Sequence, residues 1–196
     1  MRNPEVTREK ILKKSGILFN TQGYKATSIS DITTATGFTK GAIYRHFESK
    51  EHLEKETLFH LSSVMFEDVR GRIKSATTAG DKLRAIFRYF ESYVTDPVVK
   101  GGCPLMNAAI EADDAHPSLR KAALRILDIL DQSVRTVLQN GMKYKQLRAD
   151  IDAGYYATLI IASLEGAIMM SKLRGNNDDI RQVIRHLEKA VKEIEL

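Results

Sequence analysis

The sequence predicts an all-α protein of about nine helices, with a small N-terminal domain followed by a larger helical bundle. Apolar residues recur at helical spacing through most of the 196 residues, and patterns typical of strands are sparse. Pro97, Pro104 and Pro117 stand between periodic segments, where helices begin and end. A chain of this length can bury a proper core in one or two domains.

Residues 28–47 predict two short helices joined by a tight turn. Ser28 and Asp31 have a spacing close to that of a capping box, and Gly37 follows the first helix where a left-handed residue is needed. The second helix carries polar and basic residues on its outer face, so the pair fits a helix-turn-helix that binds DNA. The inward faces are apolar: Ile29, Ile32, Ala35, Phe38, Ala42, Ile43 and Phe47.

The positive charge of the chain is concentrated at its N-terminal end. Of the 30 Lys and Arg residues nine lie in residues 1–50, against four of the 25 Asp and Glu, so this segment carries the whole net charge of +5. A basic segment beside a neutral one is the pattern expected of phosphate binding. A solvated helix face would explain the charge alone, but not its coincidence with the helix-turn-helix pattern.

The remaining elements follow from periodicity and from Pro, Gly and Asp at helix ends. The eighth helix is apolar on most of its circumference, which predicts burial on more than one side. Besides the two short helices, the predicted elements run from Glu5 to Thr21, from Ser49 towards Ser75, from Asp81 to Asp96, from Pro104 to Ala112, from Pro117 to about Gly141, from Asp152 to Gly175, and from Asp178 to Ile194.

The segment from Ile11 to Leu53 resembles, without gaps, the N-terminal domain of the TetR family of bacterial transcriptional regulators. Ser15 and Gly16 depart from the pair of alanines that is usual in this family. The resemblance predicts a DNA-binding domain at residues 4–50 and a ligand-binding and dimerisation domain at residues 51–196. The matching residues are Ile11, Phe19, Gly23, Tyr24, Thr27, Ile29, Ile32, Ala35, Gly37, Gly41, Tyr44, Phe47, Lys50 and Leu53.

The resemblance implies a ligand-responsive repressor that binds a palindromic double-stranded operator as a homodimer and is released by a small-molecule effector. The alternatives are a DNA-binding regulator without a ligand and a regulator that responds to thiol chemistry at Cys103. Lys40 would contact a guanine edge or a phosphate, and Ala42 a thymine methyl group. Tyr44 would contact a phosphate or belong to the core. The predicted DNA contacts are Thr27, Ser28, Thr39, Lys40, Gly41, Ala42, Tyr44, Arg45, His46 and Lys50.

By resemblance, the effector pocket lies among the fourth to eighth helices and suits an at least partly apolar molecule. Asn107 and Glu111, four residues apart on a small apolar helix, are the predicted polar contacts to it. For each residue, plain core packing is the alternative. The predicted lining residues are Met65, Phe66, Phe90, Tyr93, Met106, Asn107, Ile110, Glu111, Leu127, Ile168 and Met169.

A homodimer is predicted because the eighth helix has more apolar surface than one side can bury, and because the family pairs its last two long helices. A fully internal core helix is the alternative. The predicted interface residues are Tyr156, Ile160, Ser163, Gly166, Ala167, Met170, Val183, Ile184, Leu187 and Val191.

Other functions find little support in the sequence. There is no nucleophile–base spacing, phosphate-binding glycine loop or HExxH motif, so no enzyme and no cofactor are predicted. Asp113, Asp114 and His116 cluster, but such a turn is usually solvated and no metal is predicted. One cysteine, a charged start and no run of 18 apolar residues predict a cytoplasmic protein without signal peptide or membrane span.

Overall fold

The computed structural model describes residues 3–112 and 116–196. Over these residues it contains nine α-helices and no strand, with one isolated antiparallel bridge between Leu147 and Glu195. The all-α prediction is confirmed. The helices are α1 (Pro4–Gln22), α2 (Ile29–Thr36), α3 (Lys40–Tyr44), α4 (Lys50–Lys74), α5 (Ala79–Thr95), α6 (Pro104–Ala112), α7 (Pro117–Lys143), α8 (Ala153–Arg174) and α9 (Asp178–Ile194).

Side-chain caps explain where most helices begin. Asp152 accepts hydrogen bonds from the amides of Gly154 and Tyr155 at the start of α8. The predicted start of α5 at Asp81 is wrong by two residues. The Thr78 hydroxyl accepts a hydrogen bond from the Asp81 amide at 3.1 Å, so Thr78 is the cap and Asp81 lies within the first turn.

The chain divides into two compact units, each formed by two stretches of sequence. The first comprises Met1–Met65 and Val99–Leu127, and the second comprises Phe66–Val98 and Asp128–Leu196. The first unit therefore contains α6 and the first part of α7 together with α1–α3. The sequence had placed these later helices in the second domain.

In the first unit α1 packs on α2 and α6, and α2 packs on α3. The Phe19 and Tyr24 rings stack with centroids 5.0 Å apart. Burial and the neighbouring carboxylates of Glu111 and Glu54 raise the pKa of the Tyr24 hydroxyl well above its usual range. The core of this unit includes Ile11, Phe19, Tyr24, Ile32, Ile43, Phe47, Leu53 and Leu58.

In the second unit α5, α8 and α9 pack against one another. The C-terminal residues return to the segment that joins α7 and α8: the Arg148 amide donates to the Ile194 carbonyl and the Leu196 amide to the Gln146 carbonyl. A salt bridge between Arg84 and Glu195, at 2.5 Å, fastens α5 to the end of the chain. These contacts hold the C-terminus of α9 in place.

One face of α8 is not covered by its own protomer. Gly166 at its centre has no neighbouring atom within 4 Å of a Cβ position, and Leu173 is 82 % exposed. By length and composition α8 would also suit a membrane span, contrary to the expectation from the sequence, and 33 % of its most apolar stretch is buried. We call this surface the open α8 face; it comprises Tyr155, Leu159, Ala162, Gly166, Met169, Met170 and Leu173.

Half of the residues predicted to form a dimer interface lie inside the protomer. Two of these residues are on α8 and three on α9, and all are buried because the two helices turn these sides towards each other and towards α5: Ile160, Ala167, Ile184, Leu187 and Val191. Assigning them to an interface is wrong. Gly166 and Met170 belong to the open α8 face, while the others are partly exposed: Tyr156, Ser163 and Val183.

Candidate nucleic-acid interface

The N-terminus of α2 is held by a complete capping box. The Ser28 hydroxyl accepts a hydrogen bond from the Asp31 amide at 3.1 Å, and the Ser28 amide donates to Asp31 Oδ2 at 2.8 Å. These hydrogen bonds from Ser28 lower the pKa of the Asp31 carboxyl. At the other end Gly37, with φ of 71°, takes the left-handed conformation that closes the turn. The first backbone amides of a helix have no partner within it, and such amides can bind a phosphate.

We expect the stability contributed by this capping box to depend on pH. Because the folded-state pKa of Asp31 is lowered, its contribution is present above the ordinary carboxyl pKa and is lost as the pH falls through the folded value. The Asp31→Asn variant should therefore be less stable than wild type at pH 7, with a smaller difference at pH 3. Urea unfolding at both pH values measures this. An equal difference at the two pH values would contradict it.

The α3 helix presents polar groups outward and apolar groups inward. Thr39 caps it by accepting a hydrogen bond from the Ala42 amide at 3.2 Å. Ile43 and Phe47 are buried in the core, as predicted from their spacing. Lys40 Nζ lies 5.9 Å from the centre of the Tyr44 ring, which is exposed rather than part of the core. Thr39, Lys40, Gly41 and Arg45 are also exposed, whereas Ala42 and His46 are half-buried.

The start of α1 adds to this surface. Pro4 and Thr7 border a groove of about 490 Å³, whose other lining residues come from α3 and its flanks: Phe38, Ala42, Arg45 and His46. Lys10 Nζ lies 5.0 Å from the centre of the Phe38 ring. The start of α1 therefore lies beside the outer face of α3 and adds the positive charge of Lys10 to it. Only the charge count hinted at this in the sequence, because periodicity does not show that α1 begins beside α3.

Two predicted DNA contacts have other partners. Thr27 is fully buried and its hydroxyl donates to the Gly23 carbonyl at 2.7 Å, so it does not face a phosphate. The Lys50 ammonium donates to the Tyr24 carbonyl at 2.7 Å and lies 3.1 Å from Glu54 Oε1. Because the Glu54 carboxylate is almost completely buried, it needs a cation beside it. Both predicted side-chain contacts need correction for this conformation.

Asn107 and Glu111, predicted to contact the effector, instead bind the backbone of the first unit. Glu111 Oε1 accepts from the Tyr24 amide at 3.0 Å, and Oε2 accepts from the Lys25 amide at 3.1 Å. The Asn107 amide group donates to Asn20 Oδ1 at 2.9 Å, and Asn20 in turn donates to the Gly102 carbonyl at 2.8 Å. Their spacing of four residues does place both polar side chains on one face of α6, but this face binds other parts of the protein rather than an effector.

The second unit contains a small apolar cavity of about 10 Å³, close to the space of one water molecule. Phe90 is the one predicted pocket residue that lines it. Its other lining residues, Ile86, Leu130, Val134, Ile160, Ile161, Leu164 and Glu165, share the helical spacing of ordinary core positions, so sequence patterns do not single them out.

The other predicted pocket residues lie elsewhere. Ile110, Leu127 and Met169 point outward, and a lining role is wrong for them in this conformation; Ile110 is 70 % exposed. Met65, Tyr93 and Ile168 are buried core residues, while Phe66 and Met106 are half-buried.

Cys103, the single cysteine and the residue before α6, is buried, with 2 % of its surface exposed. His116 Nε2 lies 2.9 Å from Glu54 Oε2, while Asp113 and Asp114 fall outside the described residues. Across residues 3–112 and 116–196, no three His, Cys, Asp or Glu side chains are grouped to hold a metal ion.

The capped α2, the turn at Gly37 and the exposed basic face of α3 define a helix-turn-helix DNA-binding protein. Residues 11–57 match the model of the bacterial regulatory proteins of the tetR family, and residues 79–187 match that of the tetracyclin repressor-like C-terminal domain. The chain belongs to the TetR family of transcriptional regulators.

Similar proteins support this membership. The HTH-type transcriptional repressor DhaR of Mycobacterium sp. (strain GP1) is 25 % identical over 90 % of this chain and 88 % of its own. A TetR transcriptional regulator from Chloroflexus aurantiacus J-10-FL is 36 % identical with a TM-score of 0.95, covering 100 % of both chains. A TetR family regulator from Cytophaga hutchinsonii is 30 % identical with a TM-score of 0.92, covering 100 % of this chain and 98 % of its own.

Proposed function

We propose that this protein is a cytoplasmic repressor that binds a palindromic DNA operator as a homodimer and releases it when a small-molecule effector binds. The exposed polar and basic face of α3, with Lys10 of α1 beside it, is the observation that carries the DNA-binding part. Lys40 and Arg45 supply charge, and the amides at the start of α2 supply donors for a phosphate. Ser28, Thr39, Gly41, Ala42, Tyr44 and His46 complete this surface.

The open α8 face supports the homodimer. A helix with exposed Leu159, Met169 and Leu173 along one side has an apolar stripe that a second copy of the same helix would cover. The absence of a side chain at Gly166 leaves room for close approach of two helices. Two copies related by a twofold axis would present two α3 helices to successive major grooves, and thus read a palindrome.

The apolar walls around Phe90 support an effector that is at least partly apolar. A cavity of about 10 Å³ holds no such molecule without widening. The alternative is a DNA-binding regulator without a ligand. Protein extracted from its native cells decides between them: a stoichiometric bound molecule, found by mass spectrometry, that weakens the DNA complex supports the effector.

We expect Lys40→Ala to weaken DNA binding about tenfold and to change the preferred base at one position of each half-site, since a basic side chain at the start of α3 reaches base edges. The probe is the DNA duplex that the wild-type protein enriches most strongly from a random-sequence pool, and its dissociation constant is measured across salt concentrations. If wild type enriches no duplex, the proposed function is wrong.

Lys14→Ala is the matched control, because Lys14 is an exposed lysine of the same basic segment on α1. It should lower affinity for all duplexes slightly and alike, without changing base preference. Equal effects of the two substitutions on preference would contradict the assignment of Lys40.

A further inference from the structure

The turn between α1 and α2 is held from outside the helix-turn-helix by two charged side chains. Glu111, on α6, accepts hydrogen bonds from the consecutive amides of Tyr24 and Lys25, at 3.0 and 3.1 Å. Lys50, on α4, donates to the Tyr24 carbonyl at 2.7 Å. Both polar groups of the Tyr24 backbone therefore have a charged partner, and such hydrogen bonds are stronger than neutral ones.

This turn sets the direction in which α2 begins. Ser28, the N-cap of α2, is only three residues beyond Lys25, and the intervening Thr27 is buried and bonded back to the Gly23 carbonyl. The short segment from Lys25 to Ser28 therefore has little conformational freedom. A change at the turn should be transmitted to the amides at the start of α2.

A second group of hydrogen bonds holds α6, and with it Glu111, against the end of α1. Asn107, one turn before it on α6, donates to Asn20 Oδ1 at 2.9 Å and to the Asn20 carbonyl at 3.1 Å. The Asn20 amide group donates to the carbonyls of Lys100 and Gly102 at 2.6 and 2.8 Å. The end of α1 is therefore fastened to the segment that leads into α6, and α6 to the end of α1.

We propose that Glu111 is a positioning residue for DNA binding, whose carboxylate fixes the α1–α2 turn and so the N-terminal end of α2 against a DNA phosphate. The inference rests on DNA binding by α2 and α3 as proposed above. It gives a DNA-binding role to a residue some 60 positions beyond the helix-turn-helix, which the sequence had assigned to effector binding.

The sign of the effect separates positioning from simple electrostatics. Removing a negative charge near a DNA-binding surface should strengthen binding to the phosphate backbone or leave it unchanged. Losing the position of α2 should weaken binding. Glu111→Gln removes the charge and one of the two acceptors with almost no change in volume, so the two explanations predict opposite directions.

The test compares full-length wild type, Glu111→Gln and Glu51→Gln on the enriched duplex described above. We expect Glu111→Gln to bind about tenfold more weakly, within the range of coupling between sites, and the Tyr24 and Lys25 amides to exchange hydrogen faster in NMR spectra. Glu51 is an exposed acid in the first turn of α4, so Glu51→Gln should bind equally well or more tightly, with exchange at Tyr24 and Lys25 unchanged.

If Glu111→Gln binds DNA as tightly as wild type while exchange at Tyr24 and Lys25 accelerates, the proposal is wrong although the regulator remains. If Glu111→Gln makes amides throughout the first unit exchange faster, that variant is unfolding and a second one is needed. Glu111→Asp serves, because it keeps the charge but is one methylene too short to reach both the Tyr24 and Lys25 amides. Wild-type affinity of Glu111→Asp, with fast exchange at these two amides, would overturn the proposal. Weaker DNA binding by Glu111→Asp, with faster exchange only at the amides of the α1–α2 turn, would support the proposal.

Discussion

We expect Leu159→Glu to convert the protein from a dimer to a monomer and to lower its affinity for the enriched duplex by about 100-fold or more. Leu159 lies on the open α8 face, where a second protomer would bury it and where a carboxylate would have no partner. A monomer reads one half-site, and loses the gain that linking two reading helices provides. Sedimentation equilibrium gives the mass, and titration of the duplex gives the affinity.

Val98→Glu is the matched control, because Val98 is 48 % exposed in the same unit but lies on no helix. It should leave the protein dimeric and its affinity unchanged. Thermal unfolding of Leu159→Glu shows whether each protomer still folds. A folded Leu159→Glu variant that remains a dimer at micromolar concentration would refute the open α8 face as the interface.

The open α8 face also shows what hydrophobic periodicity in the sequence does not resolve. The composition of α8 correctly indicated more apolar surface than one side can bury, but it did not say which side. Ile160 and Leu159 are adjacent and chemically alike, yet one lies in the core and the other is exposed. Only packing against α5 and α9 decides this, since hydrophobic periodicity on a helix that is apolar nearly all round has no preferred direction.

The DNA-binding half was predicted more closely because its signals are local. Ser28, Gly37 and Thr39 act on their own helices through caps and a left-handed turn, so spacing alone reveals them. Lys50 and Glu111 act on residues 26 and 87 positions away in sequence. No local pattern distinguishes a charge that binds a distant backbone from one that binds DNA or a ligand.

We expect Gly101→Ala to lower the free energy of unfolding of the protein by about 3 kcal/mol. Gly101 has φ of 104°, a conformation that L residues rarely adopt. A Cβ there would also lie 2.2 Å from the Asn20 carbonyl oxygen, a backbone atom that cannot move without disturbing the hydrogen bond that it accepts from Asn107 on α6. Urea unfolding gives the free energy of unfolding.

Gly37→Ala separates backbone strain from this close approach. Gly37 also has a positive φ, of 71°, but no atom lies within 4 Å of a Cβ built there. Strain alone should cost about 1 kcal/mol, the usual penalty for a left-handed alanine. Because α1 and α6 meet beside Gly101, the Gly101→Ala variant should lose DNA affinity as well as stability. Equal destabilisation by the two substitutions would mean that α1 moves away from Gly101 freely, and that α6 does not hold the DNA-binding helices in place.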